Sequence, residues 1–240
     1  MRKNQLLVLL VALLYCTLSQ AVYAHALWIE PSSSSAQKST VHTVKVFYGE
    51  YEHGTRDLVK DWYADLKELK LWVQHPNGQS TLLETTAADD HLAASFTPEQ
   101  DGLYLIHTTH TASELGGQTK YIFSASLPVA VGQSDLMITN PKEPNLLAFV
   151  SPTENRTDQE VDIFVFDNGS APTDAAVTVI SAEGWAKTFK TDSNGKVSFR
   201  PLWKGRYVVE TSKYLPEEGV WNEKPHTHVW QGVTTTFSVN

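Results

Sequence analysis

Cysteine is almost absent from this 240-residue chain: Cys16 is the only one, and it lies among the first two dozen residues. Once those residues are removed no disulfide can form, so stability must come from a hydrophobic core, and the remaining length is ample for one or two. Basic residues are also few, 19 against 27 acidic ones, for a net charge of −8. With no basic stripe to neutralise phosphates, nucleic-acid binding is excluded. The apolar run Leu6 to Leu14 falls short of the ~20 residues that a membrane-spanning helix needs. Enzyme signatures are missing too: there is no nucleophile elbow, phosphate-cradling glycine loop, paired-histidine zinc helix or cysteine nucleophile. Asp89-Asp90 and Glu217-Glu218 read as solvated acidic pairs. No enzyme is therefore expected.

What is present begins with Arg2 and Lys3, the apolar run, then polar and small residues up to Ala21 and Ala24. That order is a secretory signal. Tyr15 before Cys16 is not the small residue of a lipoprotein signal, so no lipid anchor is expected, and no stable membrane insertion after cleavage. Val22/Ala24 satisfies the small-residue rule at the cut, as do Ser19/Ala21 and Ala24/Ala26. Cleavage after Ala24 is the preferred reading. It makes residues 1–24 a signal peptide and His25 the first residue of a mature periplasmic protein. Losing Arg2 and Lys3 leaves 17 basic against 27 acidic residues, a charge of −10. That charge suits a cation carrier, but solubility explains it equally well.

Beyond Pro31 nearly every apolar segment has strand character. Val41 to Tyr48 is β-branched and aromatic, and Leu69, Leu71 and Val73 alternate with Lys70, Trp72 and Gln74. This period of two is that of a half-buried strand. His75-Pro76-Asn77-Gly78 supplies a turn, with Ser80 to Glu84 as the returning strand. His91 to Phe96, Leu103 to His110 and Tyr121 to Val131 extend the set, and only Leu58 to Leu69 has room for a short helix. Asn140-Pro141 and Glu143-Pro144 mark 132–145 as a linker. After it, Val161, Ile163 and Val165 alternate with more polar or aromatic neighbours, followed by strands at Ala175 to Ser181, Val197 to Phe199, Arg206 to Thr211 and Val233 to Val239. The expected fold is all-β: two antiparallel β-sandwich domains over 25–135 and 145–240, the second prealbumin-like or Ig-like.

Several of these motifs together resemble a known family. They are His25 followed by Leu27-Trp28-Ile29-Glu30-Pro31, Tyr48-Gly49-Glu50 with Arg56, Gly102-Leu103-Tyr104, Tyr121, Thr191-Asp192-Ser193-Asn194-Gly195 with Phe199, and Gly205-Arg206-Tyr207. The chain resembles a bacterial periplasmic family, catalogued as a domain of unknown function linked to nickel and cobalt uptake, whose mature chains begin with histidine. The second half alone also looks like the prealbumin-like modules of carboxypeptidase tails and surface proteins. The resemblance implies a metal-handling periplasmic protein that works beside a metal transporter or outer-membrane receptor. Lys213 stands near a position where relatives often carry histidine.

The histidines are the candidate ligands. As a first residue, His25 would offer its α-amine, of pKa near ~8, together with its ring, a chelate suited to divalent copper, nickel, cobalt or zinc. The plainer reading is a disordered chain end. His226 and His228, two apart, share a strand face and so can meet one ion; a solvent-facing loop after Pro225 is the alternative. His107 and His110 are three apart and face opposite ways. His110 resembles a histidine of the family pattern, whereas His107 shares a face with Leu103 and Leu105 and reads as a core histidine. His53, between Glu50, Glu52 and Gly54, reads as part of an exposed acidic loop, with service to a harder cation as the other account. The expected metal ligands are His25, His110, His226 and His228, and the expected cofactor is a divalent transition metal. The leading function is a periplasmic metal-binding accessory protein for uptake or homeostasis. A histidine-brace copper oxygenase and a metal-free structural or adhesive sandwich are the alternatives.

Overall fold

The computed structural model describes residues 25–32, 36–132, 144–152 and 154–240. The signal expected at 1–24, and the linker apart from Gly132, Pro144 and Asn145, lie outside the described residues. The first half holds β1 Ala26–Pro31, β2 His42–Glu50, β3 Thr55–Arg56, β4 Leu71–Gln74, β5 Ser80–Leu83, β6 Thr86–Ala87, β7 Leu92–Phe96, β8 Gly102–Thr111 and β9 Thr119–Val131. The second holds β10 Leu146–Val150, β11 Val161–Asp167, β12 Ala176–Ser181, β13 Ala186–Lys190, β14 Lys196–Phe199, β15 Gly205–Trp221 and β16 Lys224–Val239. The period-two segments behave as expected. Leu71 and Val73 are buried between half-buried Trp72 and Gln74, and Val161, Ile163 and Val165 alternate likewise. The possible helix at Leu58 to Leu69 resolves into two 3-10 turns, Val59–Asp61 and Leu66–Glu68. Ala64 between them has φ +51°, a left-handed conformation through which a right-handed helix cannot propagate.

Three sheets pack as sandwiches. The order β1-β2-β7-β6, with β3 on β2, forms one sheet; β10-β11-β14 forms another; the third runs β13-β12-β15-β16-β9-β8-β4-β5 through both halves. One core lies between the first sheet and the β9-to-β5 part of the long one, filled by Leu27, Ile29, Val46, Leu71, Tyr104, Ile106 and Leu127. The other lies over the β13-to-β16 part, filled by Ile163, Val165, Val179, Phe199, Tyr207, Val209 and Phe237. The seam is a parallel pairing of β16 with β9, from His228↔Thr119 to Thr235↔Ser126. The Thr234 hydroxyl donates to the Leu27 carbonyl at 2.6 Å, so the last strand also reaches the first.

Past Ser212, β15 and β16 continue as a hairpin arm. Asn222 and Glu223, at φ +46° and +65°, make its two-residue turn. Trp221 Nε1 donates to the Ala112 carbonyl and Asn222 Nδ2 to the Ser113 carbonyl, each at 2.8 Å, which anchors the tip to the first half.

Two ionisable groups, His107 buried and Glu210 half-buried, oppose each other in pH. His107 on β8 is buried and its Nε2 has no hydrogen-bond partner, and burial pushes its pKa down to about 4. Burial, reinforced by the charge of Glu52, pushes the Glu210 carboxyl up to about 7. His107 is neutral in the folded protein while the unfolded chain takes up a proton near pH 6.5, so its contribution is lost as pH falls from 6.5 towards 4. Glu210 acts the other way, favouring the fold below about pH 4.5 and costing stability as pH rises towards 7.

Two predictions follow from the packing. Truncating Ile163, fully buried in the second core, to alanine should cost ~2–5 kcal/mol in urea unfolding; a neutral effect would contradict the assigned core. In a His107→Gln variant the acid loss of ~3 kcal/mol between pH 6.5 and 4 should disappear. Parallel urea midpoints for variant and unaltered protein across that range would refute the assignment.

Candidate metal centre at the head of the first strand

His25 stands one residue before β1, and the register Ala26↔Gly49 sets it beside the end of β2. There the chain turns back at once, because Gly49 pairs with Arg56 and Glu50 with Thr55. Gly49 has φ +149°, and a Cβ on it would come within 2.4 Å of the Thr55 carbonyl oxygen, so only glycine permits this close return. The returning loop, a 3-10 turn over Tyr51–His53 closed by left-handed Gly54, brings Glu50, His53 and Asp57 into one corner.

In that corner the His25 ring packs at 5.3 Å from the Tyr48 ring. Its Nδ1 lies 3.6 Å from Glu50 Oε1 and its Nε2 3.3 Å from Asp57 Oδ2. His53 Nδ1 lies 3.6 Å from the second oxygen of Glu50. The carboxylates are mostly covered, at 21% and 24% exposure, while the ring is 38% exposed, so a small ion can approach from solvent.

The floor of the corner is built on Glu30, which is 6% exposed. Its carboxylate accepts from Trp28 Nε1 at 2.9 Å, from Arg56 Nη2 at 3.1 Å and from Arg206 Nη1. Arg56 also lies 4.0 Å above the Phe47 ring. Tyr51 donates to the Arg206 carbonyl at 3.2 Å, and burial, reinforced by Glu30, pushes its pKa up to about 12. Burial likewise raises Tyr48, with the Asp57 charge adding to it.

The other expected ligands have partners of their own. His110 Nε2 meets Asp65 Oδ1 at 3.0 Å, and the same oxygen accepts the Ser113 amide. Burial raises the Asp65 carboxyl, but these hydrogen bonds outweigh it and hold the group below the usual range. His226 is buried, with Nδ1 donating to the Glu217 carbonyl at 3.0 Å. His228 stacks on Tyr214 at 4.8 Å, with Nδ1 2.9 Å from the Thr227 hydroxyl. Both lie in β16, as period two expects, yet their rings are held by different groups. Lys213 pairs with Asp167.

Among the described residues, no three His, Cys, Asp or Glu side chains are arranged to hold one ion. The His25 corner instead offers two side-chain donors, an imidazole and a carboxylate, to which a free α-amine on His25 would add a third. That amine, nitrogen and oxygen set fits a borderline divalent metal. Asp57 gave no sequence signal, while Glu50-x-x-His53 between Gly49 and Gly54 was a legible turn without a visible partner.

A family profile described as "Domain of unknown function (DUF4198)" matches residues 22–213. The chain belongs to the DUF4198 family. The match takes in the whole corner and ends inside β15. No curated protein matches the chain. Among solved structures it is similar to a Salmonella alpha-2-macroglobulin (13% identity, 88% of this chain and 15% of that one, TM-score 0.31). It is also similar to a DUF4785 protein from Legionella pneumophila (12%, 76% and 52%, TM-score 0.32) and to a two-domain fibronectin type III segment of chicken tenascin (14%, 85% and 95%, TM-score 0.23). The chain thus spans about a seventh of the macroglobulin and half of the DUF4785 protein. At these TM-scores the overlap carries no functional argument.

Replacing Glu30 by alanine should cost ~1–3 kcal/mol, because it leaves the buried Trp28 indole N–H without its acceptor and two partly exposed arginines without their partner. Unfolding of Glu30→Ala in urea checks this, and a midpoint within error of the unaltered protein would show that the network is dispensable.

Proposed function

We propose that this DUF4198 protein is a periplasmic accessory protein that binds a divalent transition metal, nickel, cobalt or copper. It would deliver the ion to a transporter or outer-membrane receptor. His25 is the first residue of the mature chain and grips the ion with its α-amine and its ring. The observation that carries this reading is the His25 ring lodged between Glu50 and Asp57 at the head of β1, on a floor braced by Glu30. A disordered chain end would not be held by two carboxylates and a tyrosine ring. The nickel and cobalt choice draws further support from the resemblance in the opening motif. His110, His226 and His228 remain as additional donors for a later transfer step.

The test is to add one alanine before His25 in the protein prepared without residues 1–24. This displaces the free amine and keeps the ring, so affinity for nickel(II) and copper(II) should fall on the order of a hundredfold or more, the worth of a linked second donor. Equal affinities in a competition titration would mean that no amino-terminal chelate exists.

A further inference from the structure

A neutral imidazole carries one N–H and one lone pair. Both nitrogens of His25 nevertheless face carboxylate oxygens, Glu50 at Nδ1 and Asp57 at Nε2. A neutral ring can donate to only one of them, and the other gap then sets lone pair against anion. A second ring proton relieves that conflict, and so does a metal cation held between the lone pair and the carboxylate.

The two gaps differ. Asp57, at 3.3 Å from Nε2, stands near hydrogen-bond range, and its backbone amide donates to the Tyr48 carbonyl at 2.9 Å, which fixes its place at the end of the loop. Glu50, at 3.6 Å from Nδ1, is too far for a hydrogen bond. That separation is close to the ~3.4 Å between two donors that each sit about 2.1 Å from one tetrahedral ion. Nδ1 is also the ring nitrogen nearer the backbone, and so the one that can close a chelate with the α-amine of the same residue. The second oxygen of Glu50 faces His53 Nδ1.

From this, resting on the function proposed above, we infer that Glu50 is the third ligand of the amino-terminal site, with Asp57 as its positioning residue. Asp57 accepts from the Nε2–H and so leaves the Nδ1 lone pair to the ion, while His53 stands 3.6 Å from the oxygen of Glu50 that does not bind. A histidine ligand whose far nitrogen donates to a carboxylate is a common way to fix tautomer and raise basicity. The set of amine, imidazole and carboxylate takes a borderline divalent ion such as nickel(II), cobalt(II) or copper(II). It disfavours copper(I), which prefers thiolate and thioether, and calcium, which wants an all-oxygen cage.

The experiment uses the chain beginning at His25, stripped of metal and titrated with nickel(II), copper(I) and calcium in competition with chelators. Nickel(II) should bind, with copper(I) and calcium much weaker. Asp57→Asn should weaken nickel(II) by about 10–100-fold, as loss of an outer-shell partner does, and should shift the His25 tautomer in nitrogen NMR of the metal-free protein. Glu50→Gln should weaken it further. X-ray absorption at the nickel edge of the unaltered protein, which depends on no variant folding, should show a nitrogen/oxygen shell with the scattering of one imidazole. Two or more imidazoles, or nickel affinity unchanged in Glu50→Gln and lost in His110→Ala or His226→Ala, would overturn the assignment while leaving the amino-terminal chelate standing. If the unaltered chain bound no metal at all, both would fall.

Discussion

The carboxylate of Glu30 is the constraint on which the junction of this molecule depends. It is buried, and one negative charge there is tolerated only because two guanidinium groups and an indole N–H meet it. Arg56 comes from the loop that returns after β2, and Arg206 from the start of β15 in the other half of the chain. A single group thus fixes the relation of the two sandwiches and the position of the loop next to His25. Trp28, Phe47 and Val208 pack beside it as a small apolar cluster, with Tyr51 against them. The polar contact supplies direction and the apolar cluster supplies the burial that makes it strict.

The same junction explains why the two halves do not behave as beads on a string. Their cores are separate, but the eight-stranded sheet is continuous, and its β9–β16 seam consists of backbone hydrogen bonds that neither half can satisfy alone. Glu210 sits in β15, paired with Thr234 of β16, and its neighbour in charge is Glu52 of the loop beside His25. The electrostatics of that loop therefore extend into the second half. His107, by contrast, is a neutral polar group inside the first half, and it answers to acid alone.

Much of the fold was legible because burial on one face leaves a period of two in the sequence. Val161, Ile163 and Val165, and the hairpin around His75-Pro76-Asn77-Gly78, carried that mark plainly. β10 did not, since all five of its residues are buried and a fully covered strand shows no alternation. β13 was missed for the opposite reason: it is a largely exposed edge strand, Ala-Lys-Thr-Phe-Lys. The long arm of β15 and β16 was hidden by Pro216 and by Glu217-Glu218, which read as a solvated acidic pair and lies in a bulge within one strand. Of the candidate site, His25 was visible from its place after the expected signal. Asp57 was not, because its role depends on the return of the chain at Gly49, and no local pattern announces which strand a loop will fold back upon.

The parallel seam also has a consequence for how the chain comes to be folded. β9 gains its second neighbour only from β16, and β1 receives the Thr234 hydroxyl from the same strand, yet β16 is the last element in the chain. The strands of the first half are complete in sequence by Val131, but they must wait for a partner about a hundred residues further on. Contacts of such separation close late and at an entropic cost. Until the final strand arrives, one long edge of β9 stays open. A chain with that architecture stays unfinished by its own topology and locks only when its last strand has joined.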